Sequence, residues 1–152
     1  MSLIPRKPVT LYIRHLNTLT GIVTPLRRIL KHTVYTDFRA DTAIRTGQVL
    51  SQAITIQVFL QDDLEYIPLE KWNKLPLDET DGYYSLIVGG TTNSVIVLGE
   101  LEQEFKSGTV AQVTTAERDF VTANPNAFRI ADFQDNITFS PTPMTAHLLV
   151  RA

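Results

Sequence analysis

Polar and apolar positions alternate along much of this chain. Val9, Leu11 and Ile13 point one way while Thr10, Tyr12 and Arg14 point the other, which predicts a strand over 9–16. Asn17 to Gly21 reads as a turn. Residues 28–39 are rich in β-branched and aromatic side chains and predict a second strand. Asp41 to Gln52 is polar, with Gly47 as a breaker, and suits a hairpin loop. A third strand covers 53–60, with Ile54, Ile56 and Val58 alternating with Thr55, Gln57 and Phe59. Pro68 stands where a helix can begin without losing a needed N–H, so Leu69 to Leu75 predicts one or two helical turns, ended by Pro76.

Further along, Leu77 to Gly82 is an acidic turn, Tyr83 to Val88 a short strand, 89–93 a glycine-rich turn and Ser94 to Leu98 another strand. Thr115 reads as the cap of a helix over 116–123, which places Glu117 and Asp119 in its first turn. Asn124-Pro125-Asn126 ends that helix. A strand follows over 128–133, then a turn at 135–136. Pro141 and Pro143 confine 140–143 to a loop or an edge, and the last strand covers 144–151. The expectation is a mainly β protein: one domain over 1–152, a small antiparallel β-barrel or sandwich with one or two short helices. Residues 1–8, which include Pro5 and Pro8, form an extended arm in this reading.

Composition narrows the chemistry. A net charge of −2 argues against a basic nucleic-acid binder. The chain has no cysteine, which removes disulfides, thiolate metal sites and thiol nucleophiles together and fits a reducing compartment. No apolar run approaches the roughly 18 residues of a membrane span. The three histidines, His15, His32 and His147, fall on different predicted strands without ligand spacing and read as ordinary strand residues. The acids Asp62, Asp63 and Glu65, and Asp78, Glu79 and Asp81, lack the glycine and closing glutamate of a calcium loop and read as solvated loops. No serine stands in a nucleophile elbow, and Gly89-Gly90-Thr91-Thr92 has no following lysine to make a phosphate loop. Trp72, with Tyr66, Tyr83 and Tyr84 near it in sequence, reads as the cover of one barrel end rather than as a stacking platform. The expectation is a protein that is not an enzyme and uses no cofactor or metal. Glu100, Glu102 and Glu104 would share one face if the strand before them continued. They read as a solvated face or, more sharply, as the negative lining of a ring through which DNA passes without sticking.

Several blocks together resemble a known family. They are Leu3-Ile4-Pro5 with Val9-Thr10-Leu11-Tyr12, then Ala53-Ile54-Thr55-Ile56 and Tyr66-Ile67-Pro68-Leu69-Glu70-Lys71-Trp72. Val95-Ile96-Val97-Leu98-Gly99-Glu100, Phe128-Arg129-Ile130 and Leu148-Leu149-Val150 complete the set. In this order they resemble the neck and minor structural proteins of tailed phages and prophages of Gram-positive bacteria. The resemblance implies a virion protein, made in the host cytoplasm, of the head–tail connector, stopper-like and shaped as a small β-barrel. It implies a homo-oligomeric ring between portal or adaptor and tail, with DNA in its lumen. A tail terminator or tail-tube subunit is the alternative, and a small ligand-binding β-domain the second alternative. The predicted lumen residues are Glu100, Glu102 and Glu104. The predicted interface residues are Gln48, Asp78 and Thr92, on polar loops that a heterologous ring contact would use.

Overall fold

A computed structural model describes residues 6–35, 54–88, 93–135 and 147–151. The strands are β1 (Lys7–Leu16), β2 (Val23–Tyr35), β3 (Thr55–Phe59), β4 (Glu65–Tyr66), β5 (Tyr83–Tyr84), β6 (Val95–Leu98), β7 (Ala127–Arg129), β8 (Asp132–Asp135) and β9 (His147–Arg151). Two helices, α1 (Leu69–Lys74) and α2 (Val110–Ala123), and a 3-10 turn at Leu77–Glu79 complete the described elements. Seven strands form one antiparallel sheet in the order β7-β6-β1-β2-β3-β9-β8, and β4 pairs with β5 in parallel beside it.

The sheet is curled. Strands β7 and β8 occupy its two opposite edges, yet only Ile130 and Ala131 separate them in sequence. Three Cα steps of extended chain reach about 10 Å. The two edges therefore converge at that corner, and the sheet wraps into a half-barrel. Ile130 pins the corner. Its N–H donates to the Ser94 carbonyl at 2.9 Å, its carbonyl accepts from Asn93 Nδ2 at 2.6 Å, and its side chain is buried. The single strand expected over 128–133 is thus two strands on different neighbours. Arg129 pairs with Val95 of β6, and Phe133 pairs with Val150 of β9.

Both faces of β1 are buried. Val9, Leu11 and Ile13 enter the main core with Ile54, Ile56, Val58, Trp72, Leu148 and Val150. On the opposite face Tyr12 joins Val95, Val97 and Ala127 in a second, smaller core. Residues 99–105 and α2 cover that face. Thr10 Oγ1 donates to the Gly99 carbonyl at 2.8 Å and accepts from the Leu101 N–H at 2.9 Å, and Tyr12 Oη donates to the Gln103 carbonyl at 2.7 Å. The rings of Tyr12, Phe105 and Phe120 meet edge to face, with centroids 4.9 to 5.8 Å apart.

Helix α2 starts before Thr115. Its cap is Thr109, whose Oγ1 accepts from the Gln112 N–H while Gln112 Oε1 accepts from the Thr109 N–H. This reciprocal box satisfies two backbone donors that would otherwise be stranded. A backbone bridge between Gly108 and Val23 fixes the entry. Thr115 is consequently an exposed interior residue, and Glu117 lies mid-helix, away from the first turn. Replacing Thr109 with alanine is expected to cost about 1 kcal/mol, read as a lower urea midpoint at unchanged slope.

Other boundaries differ by a few residues. Strand β2 begins at Val23, because the turn after Leu16 folds it straight back along β1. Strand β5 has only two residues, since its partner β4 has only two. Lys7 and Pro8 of the expected arm belong to β1, where the register with β2 shifts between Lys7 and Val9, so that β2 carries one extra residue opposite Pro8. Residues 1–5, the 41–52 loop, the turn residues 89–92 and the 140–143 loop lie outside the described residues.

Candidate functional site

Strand β6 ends at Leu98, and Gly99 adopts φ 96°, so no strand carries Glu100, Glu102 and Glu104 on one face. All three carboxylates are nevertheless exposed, because the intervening Leu101 and Phe105 turn inward onto the second core. Glu104 comes within 3.9 Å of Arg27 Nε at the surface. Asp78 is exposed on the 3-10 turn, while Gln48 and Thr92 lie outside the described residues.

His15 and His32 have separate partners. His15 is buried and its Nε2 donates to the Leu75 carbonyl at 2.6 Å. His32 donates to Asp62 Oδ2 at 2.9 Å, and this bond holds the Asp62 carboxyl below its usual range. Gln61 brackets the His32 backbone, accepting from its N–H at 3.0 Å and donating to its carbonyl at 3.1 Å. The side chain of His147 is outside the described residues. Among the described residues no cluster of three metal-ligating side chains forms.

Trp72 is fully buried. Its indole N–H donates to the Arg14 carbonyl at 3.1 Å, and its ring meets His15 edge-on. It therefore closes an end of the half-barrel and fixes α1 to β1. Arg28 lies across the same ring at 6.0 Å and donates to the carbonyls of Tyr83 (2.9 Å) and Thr80 (3.1 Å). Burial pushes the Arg28 pKa down, partly offset by Asp81.

Two grooves mark the surface, the first of them beside α1. The first, of about 510 Å³, lies between the β1–β2 hairpin end and residues 73–77. Leu19 at the hairpin tip is 94% exposed, and Leu16, Ile22 and Leu77 around it are exposed too. The Asn17 side chain shapes the tip by accepting from the Leu19 and Thr20 N–H groups. The second is a groove of about 520 Å³ between residues 60–66 and 81–84, walled by Leu60, Leu64, Tyr66 and Tyr83 and edged by acids. Gly82, at φ 84°, lets its carbonyl accept from the Glu65 N–H at 2.8 Å and so holds the two walls together.

Burial pushes the Tyr66 hydroxyl up to about 12 and raises Tyr84 further, with Asp135 adding to both. The unfolded phenol ionises near 10.0. The stability that the neutral Tyr66 contributes is therefore intact below pH 10 and lost as pH rises through 12. In a phenolate absorbance titration these two tyrosines are expected to ionise only above pH 10, with unfolding accompanying that step.

Sequence reasoning missed a buried ion pair between β1 and α2. Arg14 Nε and Nη2 both donate to Glu117 Oε1, at 2.9 and 2.5 Å, and Arg14 Nη1 donates to Thr114 Oγ1 at 3.1 Å. Arg129 Nη1 stands 3.7 Å from the same carboxylate oxygen. Nothing local could have joined residues so far apart in sequence. No protein-family model, curated protein or solved structure matches this chain.

Proposed function

We propose that this chain is a virion structural subunit of a tailed-phage neck, a stopper-like head–tail connector protein that works as a homo-oligomeric ring between portal or adaptor and tail. Its task in this reading is geometric, joining the two parts and sealing or passing DNA. The observation that carries the reading is Leu19, held 94% exposed at the tip of a hairpin and surrounded by further exposed aliphatic side chains. Covering a leucine contributes about 1.5–3 kcal/mol. A contiguous apolar patch is the mark of a surface that meets another protein. The ordered blocks that resemble neck proteins supply the kind of assembly, and the curled antiparallel sheet suits the small barrel that such subunits use. The exposed Glu100, Glu102 and Glu104 fit a lumen that repels phosphate.

The test is electron microscopy of lysates from a phage with a stop codon in this reading frame. Emptied heads beside complete, detached tails are expected, because DNA leaks from an unsealed neck. Full heads without tails would move the subunit to the tail tube. Normal infectious particles would overturn the assignment.

A further inference from the structure

We infer that neighbouring subunits meet head to tail, the Leu19 hairpin end of one copy entering the acidic, tyrosine-walled groove of the next. This contact rests on the ring reading above and specifies which two surfaces close the ring. A closed ring needs two different, complementary patches on each subunit. The hairpin supplies a knob, and residues 16–24 at its end carry no ionisable side chain. The groove supplies a hollow of about 520 Å³ with Leu60, Leu64 and the tyrosine rings as its apolar walls. Leu60 is itself 42% exposed.

Charge selects this pairing over the symmetric one. Beside the hairpin, Lys74 in the last turn of α1 lines the facing groove. The groove is edged by Asp62, Asp63, Glu65 and Asp81. Docking the hairpin end into the groove sets Lys74 against carboxylates around an apolar centre, the anatomy of a specific interface. Docking hairpin end on hairpin end brings lysines together, and groove on groove brings carboxylates together.

The absence of cysteine makes the test clean. Purified full-length Leu19→Cys and Leu60→Cys variants, both at exposed positions, are mixed and treated with a short bis-maleimide. Sedimentation velocity of the untagged chain is run in parallel. The expected result is a linked product that forms only in the mixture, with Leu19→Asp weakening self-association at least about ten-fold. Melting curves matching the parent show that the variants fold. Linkage of Leu19→Cys with itself would overturn the proposal in favour of a symmetric contact. Oligomers without 19–60 linkage would overturn it while leaving the ring intact. A chain that neither links nor associates overturns the contact, and the microscopy of the stop-codon phage then decides the neck reading separately.

Discussion

Replacing Glu117 with alanine is expected to destabilise the protein by about 3–5 kcal/mol, the cost of removing one partner of a buried ion pair. Glu117 is 1% exposed and its Oε1 is shared by two nitrogens of Arg14. The substitution leaves that guanidinium buried, with Thr114 as a neutral partner and Arg129 as a like charge nearby. Total stability of such a domain is about 5–15 kcal/mol, so the loss is a large part of it. With a urea slope of about 1–3 kcal/mol/M, the midpoint falls by roughly 1–5 M. The pair itself is not strongly stabilising, because desolvating two ions cancels most of their attraction. The double variant Arg14→Met with Glu117→Leu is therefore expected to lie within about 1 kcal/mol of the parent. Urea unfolding of the three proteins checks both statements. An alanine variant with parental stability would mean that α2 is held by its apolar contacts alone.

Trp72→Ala is the second large effect, at about 3–5 kcal/mol, from the cavity left when a fully buried indole is removed. Trp72→Phe keeps most of the volume and loses the donor to the Arg14 carbonyl, for about 1–3 kcal/mol. The consequence reaches both grooves. Trp72 joins α1 to β1 near His15, and Arg28 over its ring holds the 80–83 carbonyls that wall the acidic groove. Hydrogen exchange of the alanine variant is expected to rise in 69–84 before the sheet opens, since that segment loses its anchor while β1 keeps its ladder. Uniform protection across 69–84 would show that the segment is anchored elsewhere.

Much of this architecture was legible in the order of residues. The alternation in β1 and β3 named the right faces, and Pro68 with Pro76 framed α1. The lone tryptophan covers a barrel end, as its size suggests. The errors have one cause in common. Thr115 looked like a cap because the Thr109–Gln112 box lies six residues before it, in a segment without apolar periodicity. Residues 128–133 looked like one strand because no glycine or proline interrupts them, and only their partners tell β7 from β8. The alternation of Glu100, Glu102 and Glu104 looked like a strand face, but Leu101 and Phe105 turn inward without any ladder.

Side-chain periodicity determined the mainly β class, the inward faces and the first helix, because burial against one neighbour imprints a local period on the chain. Tertiary structure decided what lies on the other side of each element. Both faces of β1 are covered, the sheet edges meet at Ile130, and Arg14 finds Glu117 at a separation of 103 residues. The acidic groove exists only because residues 60–66 and 81–84 are brought side by side. Such contacts depend on how a curled sheet brings remote segments together, and a period of two or 3.6 residues carries no record of that.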